Sequence, residues 1–265
     1  MKRRDFLGAS MVAAAAPLTA TAMAEDCEKK QGKQYIELRR YMLDSPEKQK
    51  KLIEFLGKAA IPAYGRIGIG PVGVFTFDKE AEEPCNDVYV VLTHKSADSA
   101  ATANAKLMTD EEYLKAGADF LDSKVDDPPY KRIESSLMLA FDGEPKVVTP
   151  VKGPDRIFQL RIYESYNAKK ALKKIEMFNT GGELEIFHRV GLKPVFFGEV
   201  LVGERIPNLT YMLGFDNAEE GKAAWKKFFV DPQWKKISKD PQYKDTVIVP
   251  NITNIWLRPA ACSQI

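Results

Sequence analysis

Apolar and polar positions alternate with a two-residue period across residues 35–41, Tyr-Ile-Glu-Leu-Arg-Arg-Tyr, which predicts a β-strand. The period then changes. Ser45-Pro46-Glu47 offers an N-cap, a proline at the first helical position and an acidic first turn, and Leu52, Ile53, Phe55, Leu56 and Ala59 follow at helical spacing. Residues 71–77 and 87–93, enriched in Val, Phe and Tyr, predict a hairpin. A second helix over 96–107, a segment 110–117 that extends or follows it, and a strand over 135–141 complete the unit. The same order of elements then recurs at 157–163, 168–178, 194–202, 209–215, 218–229 and 251–257. The segment 142–155 between them holds Gly143, Pro145, Pro150, Gly153 and Pro154 and reads as a linker.

The recurrence extends to residue identity. At an offset of 122, Leu38-Arg39-Arg40-Tyr41 falls on Leu160-Arg161-Ile162-Tyr163, and Tyr89 falls on Tyr211. At 123, Arg66, Gly68, Pro71 and Val72 meet Arg189, Gly191, Pro194 and Val195; at 121, Asp110 and Tyr113 meet Asp231 and Trp234. Offsets that drift only through loops are the mark of a duplicated domain. Each copy, strand-helix-strand-strand-helix-strand, predicts an α+β ferredoxin-like unit with both helices on one face of an antiparallel sheet. Val72, Val74, Val88 and Val90 are expected on the face the helices leave bare, an apolar patch too large to expose. The second copy supplies a partner, so the expected architecture is an intrachain pseudo-dimeric α+β barrel: residues 25–141 and 156–265 as tandem domains around the linker 142–155.

Residues 1–24 stand apart from this pattern. Arg3-Arg4-Asp5-Phe6-Leu7, a short apolar stretch and Ala22-Met23-Ala24 read as a twin-arginine export signal cleaved after Ala24. The expected location is therefore periplasmic or extracellular. The chain's formal charge of +2 resides in this segment, since Lys2, Arg3 and Arg4 outweigh Asp5 there. A mature chain near neutrality argues against nucleic-acid binding. No later stretch is apolar enough to span a membrane. Cys27, Cys85 and Cys262, in an oxidising compartment, leave room for one disulfide, with no pairing favoured.

Searches for catalytic motifs return mostly exclusions. Gly68-Ile69-Gly70-Pro71-Val72-Gly73 matches GxGxxG, but a helix precedes it and a strand follows, the reverse of a phosphate-binding loop, so these are turn glycines. His94 and His188 have no neighbours at metal-ligand spacing, and neither a metal nor a cofactor is expected. What remains is Arg39, Tyr41, Arg161 and Tyr163, repeated on the strand face opposite Leu38 and Leu160, with Glu37 aligned to Gln159. They are either members of internal salt bridges between neighbouring strands, such as Glu37 to Arg39, or the polar end of an apolar pocket between sheet and helices. His188 is a further candidate for that pocket. Trp225, Phe228 and Phe229 are expected to pack one helix face against the sheet, with Trp234 as a second core anchor.

Ile36-Glu-Leu-Arg-Arg-Tyr41 and Phe158-Gln-Leu-Arg-Ile-Tyr163 resemble the opening strand of NIPSNAP domains, as do Arg189-Val-Gly-Leu-Lys-Pro-Val195 and Trp225 followed by Asp231-Pro-Gln-Trp234. The first copy departs from the pattern, with Asp110-Glu-Glu-Tyr113 in place of Asp-Pro-x-Trp. The resemblance implies a dimeric α+β-barrel fold and no agreed reaction. Two classes follow: an exported protein that binds a small apolar or aromatic ligand or a protein partner, and a cofactor-independent oxygenase or isomerase acting on a small aromatic or apolar substrate. Homo-oligomerisation is compatible with either.

Overall fold

A computed structural model describes residues 32–78 and 85–265, of which Lys33–Ile265 form one compact unit. The expected export signal and Cys27 lie outside the described residues. Eight strands form one closed antiparallel barrel: β1 (Tyr35–Met42), β2 (Gly73–Phe77), β3 (Val88–His94), β4 (Arg132–Ala140), β5 (Ile157–Glu164), β6 (Lys193–Val202), β7 (Asn208–Phe215) and β8 (Asn251–Pro259). Within each copy the order is that of a ferredoxin-like sheet, β4-β1-β3-β2 and β8-β5-β7-β6. The copies join edge to edge, β2 on β8 (Phe75 opposite Pro259) and β4 on β6 (Leu139 opposite Glu199). Closure leaves no sheet edge exposed, which an isolated copy could not achieve.

Helices cover the outside: α1 (Pro46–Phe55), α2 (Ile61–Arg66), α3 (Ala97–Leu107) and α4 (Glu111–Leu121) in the first copy, α5 (Ala168–Asn179), α6 (Glu183–Val190), α7 (Ala218–Val230), α8 (Pro232–Ile237) and α9 (Asp245–Ile248) in the second. None of the described helices is long and apolar enough to cross a membrane. Their starts repeat with the sequence: Ser45 and Asn167 cap α1 and α5, Ser96 and Asn217 cap α3 and α7, Asp110 and Asp231 cap α4 and α8. A π-helical turn, Leu56–Ala60, joins α1 to α2 just ahead of Pro62. Proline has no N–H to continue the i→i−4 ladder, and the widened turn absorbs the break.

Two ion pairs are duplicated with the fold. Arg66 grips Asp110 through Nε at 2.8 Å and Nη2 at 2.9 Å, and Arg189 grips Asp231 through Nη2 at 3.0 Å and Nε at 3.3 Å. Gly68 and Gly191, two residues after each arginine, both adopt a left-handed conformation (φ 75° and 89°), as turn glycines should.

Ile36, Leu38, Phe75, Tyr89, Val91, Phe158, Leu160, Phe196, Met212 and Leu257 fill the barrel, where the Phe75 and Phe158 rings meet edge to face at 4.9 Å. Val72, Val74, Val88 and Val90 do not line it, contrary to expectation; they pack under the first copy's helices with Leu52, Leu56 and Ala103. The reason is register. Leu38 pairs with Val91 and Leu160 with Met212, so the structural equivalent of Tyr211 is Val90, not Tyr89. A one-residue slip reverses every side chain of a strand. Tyr89 accordingly points into the barrel and Tyr211 towards the helices.

Candidate functional site

On β1 and β5 the residues opposite the leucines face the helices, so Arg39, Tyr41, Arg161 and Tyr163 all lie between sheet and helix layer. The two copies use this space differently.

In the first copy the charged groups are matched. Glu37 accepts hydrogen bonds from Arg39 (Nε at 2.6 Å, Nη2 at 3.1 Å), Ser135 Oγ at 2.7 Å and His94 Nε2 at 3.2 Å, and Arg39 Nη1 donates to Tyr64 OH at 3.0 Å. Burial alone would raise the Glu37 carboxyl; the bonds from His94, Arg39 and Ser135 and the Arg39 charge hold it down at about 2. Glu37 and Arg39 thus form an internal ion pair, but within one strand and not between neighbouring strands as expected, with Tyr41 beside it in the core.

The second copy has lost both partners. Gln159 stands where Glu37 does, and Phe187, by the offset of Arg66 and Arg189, stands where Tyr64 does. Gln159 turns elsewhere, accepting from Trp225 Nε1 at 2.7 Å and donating to Asn254 Oδ1 at 2.8 Å. Arg161 therefore makes no ion pair among the described residues, and its Nε is buried with no hydrogen-bond partner. Aromatic faces surround the guanidinium instead: its carbon is 4.8 Å from the Trp225 ring centre, 5.2 Å from Tyr163 and 6.0 Å from Tyr211. The two tyrosine hydroxyls meet at 3.3 Å. A planar cation walled by π faces, with its donors unspent, is built to meet a flat acceptor. The register sets Asn254 of β8 opposite Arg161, and that residue is exposed.

Next to this cage lies a buried charge cluster. Lys174 Nζ is 3.4 Å from Glu183 and 3.6 Å from Asp245, and sits over the Phe178 and Tyr163 rings at 4.9 and 5.3 Å. Burial pushes the Glu183 carboxyl up, opposed by Lys174. Sequence reasoning passed over both: Lys174 sits in a lysine-rich helix whose charges suggest a solvated face, and Glu183 is the first residue of α6, a helix absent from the expected elements.

The remaining expectations divide. His188 is not in the cage; at the end of α6 it is largely exposed and pairs with Glu144 at 2.7 Å. Trp225 is half-buried and forms a wall of the cage rather than a plain core anchor. Phe228 is buried, but Phe229 is 57% exposed, so the helix does not set all three aromatics against the sheet. Trp234 packs on Phe228 with ring centres 4.4 Å apart. Among the described residues Cys85 and Cys262 are not disulfide-bonded, and Cys27 lies outside them. Two surface cavities are lined by other residues: about 430 Å³ between α1 and α4, floored by Phe55 and Phe120, and about 120 Å³ at a barrel mouth beside Arg40, Glu134 and Arg205.

A closed eight-stranded antiparallel barrel built from two ferredoxin-like halves, each with its helices outside, is a dimeric α+β barrel folded from a single chain. Residues 158–264, most of the second copy, match the NIPSNAP family model. The barrel resembles a candidate monooxygenase from Lactobacillus acidophilus NCFM (TM-score 0.56, 9% identity, covering 86% of this chain and 94% of that one). A second candidate monooxygenase, from Fusobacterium nucleatum subsp. nucleatum, aligns with TM-score 0.56 and 7% identity over 86% of this chain and 93% of its own. An anthrone oxidase-like protein aligns with TM-score 0.54 and 13% identity over 87% and 92%. At these identities the likeness is one of fold. No curated protein sequence matches the chain at a significant level.

Proposed function

We propose that the second copy binds a small planar molecule, an aromatic acid or an enolised aromatic ketone, in the cage around Arg161. One observation carries this reading: Arg161 is enclosed by Trp225, Tyr163 and Tyr211 with Nε buried and unpartnered, while its equivalent Arg39 has all three nitrogens bonded. Glu183 and Asp245 act on this cation only from beyond ion-pair distance, so its buried donors carry a desolvation cost that a directly bonded anion relieves. The guanidinium offers the ligand's oxygens a forked pair of donors, and the rings offer its apolar body stacking surfaces. The resulting function is that of an exported binding protein, the location resting on the twin-arginine pattern of the first residues. A second reading, cofactor-independent oxygenation or isomerisation of the same ligand, draws on the fold shared with candidate monooxygenases; the Arg161 charge would then stabilise a developing enolate.

The experiment is to purify the mature chain and its Arg161→Met variant and identify small molecules released on denaturation by mass spectrometry. A planar aromatic acid or ketone released by the wild type and absent from the variant is the expected result. Recovery of the same compound from both would refute the assignment.

A further inference from the structure

A second polar constellation lies in the first copy, apart from the Arg161 cage. The Glu37 carboxylate, held ionised, has only acceptor capacity, so His94 Nε2 donates to it across their 3.2 Å contact. That bond fixes the tautomer. A neutral His94 carries its proton on Nε2, and Nδ1 keeps a free lone pair, which faces Ser99 Oγ at 3.2 Å. His94 is wholly buried at the end of β3, while Ser99, in the first turn of α3, is only partly so. Ser99 is thus the most exposed residue of the chain Glu37–His94–Ser99, where Glu37 is buried and His94 wholly so. Nucleophile, base and orienting carboxylate stand within hydrogen-bond reach in sequence, the arrangement that activates a serine.

We propose that Ser99 is an acyl-accepting nucleophile with His94 as its general base, and that it hydrolyses short-chain esters with good leaving groups. In the first half-reaction Ser99 Oγ bonds to the acyl carbon as its proton passes to His94 Nδ1. The ester C–O bond then breaks, and His94 returns the proton to the departing alcohol oxygen. Water attacks the acyl-serine by the same route, losing its proton to Nδ1 and releasing the carboxylic acid as Ser99 regains its hydrogen. Glu37 stabilises the transient imidazolium through the Nε2 bond without taking the proton. Ser135 and Arg39 hold Glu37 still, so they are positioning residues. Because Ser99 lies near the surface and lines neither of the cavities described above, the acyl group accepted is a small one.

A fluorophosphonate probe tests this on the full mature chain. Peptide mapping by mass spectrometry should place the adduct on Ser99, and Ser99→Ala, a change at a partly exposed hydroxyl, should abolish labelling together with the burst of nitrophenol from 4-nitrophenyl acetate. The mapping needs no variant, so a folding defect cannot blur it. Absence of any adduct, an adduct on another residue, or equal labelling of Ser99→Ala would overturn the proposal.

Discussion

Arg39 and Arg161 occupy equivalent places on β1 and β5 but face opposite electrostatic situations, and substitution should separate them. Arg39→Met leaves the Glu37 carboxylate buried and short of its main partner, and should cost about 3–5 kcal/mol of stability by urea unfolding. Arg161→Met removes a cation that makes no direct ion pair and is favoured only by the more distant Glu183 and Asp245 charges and the ring faces, and should cost clearly less than Arg39→Met. Glu37 also sets a pH dependence. Its carboxyl lies at about 2 in the fold against an ordinary 4.5, so it stabilises the fold above the ordinary value and that contribution, roughly 3 kcal/mol, is lost as pH falls from there towards 2. Unfolding midpoints followed down to about pH 2.5 should drop steeply in the wild type and more gently in Glu37→Gln. The paired placement of these arginines and tyrosines was legible from alternation and repeat alone, whereas these left open whether Arg39 pairs with Glu37 or lines a pocket. The openness of Arg161 was not, although its signals were in the sequence: glutamine for Glu37 and phenylalanine for Tyr64.

Helix α7 shows how far periodicity reaches. Spacing of i, i+3 and i+4 puts Trp225, Phe228 and Phe229 within one broad arc, yet only Phe228 is fully buried, packed on Phe187 and Trp234, while Trp225 leans over Arg161 and Phe229 reaches solvent. A covered arc is fixed by what packs on it, here α6 and α8, and the expected elements include no helix at α6 despite its acidic first turn and the glycine that ends it. Trp234 at the start of α8 packs on Phe228 while remaining half-buried. Trp234→Ala should therefore fall near the lower end of the roughly 3–5 kcal/mol seen for tryptophan truncation, measured by chemical denaturation. The strand register was the weaker point. Matching tyrosine to tyrosine aligned β3 with β7 one residue out, because a conserved residue type outweighed the hydrogen-bonding partner, which sequence does not reveal.

At the scale of the whole molecule, closure comes from four edges of two copies, β2 with β8 and β4 with β6. A single copy exposes two unpaired edges and the apolar face that Phe158, Leu160, Phe196 and Met212 present to the barrel. Residues 156–265 expressed alone should then appear in size-exclusion chromatography as a homodimer or fail to stay in solution; a well-behaved monomer would argue against the need for closure. Duplication within one chain frees each half to diverge, and the halves have done so at the helix-facing strand positions: the first keeps a fully bonded Glu37–Arg39–His94 network, the second an arginine left open within aromatic walls. Calorimetric titration of the mature chain with a series of planar aromatic carboxylates, beside Arg161→Met, tests that division of labour most directly. Binding by the wild type that weakens at least about tenfold in the variant, a loss near 1.4 kcal/mol, is the predicted result. Affinity unchanged in Arg161→Met, or no binding of any planar acid by the wild type, would contradict it.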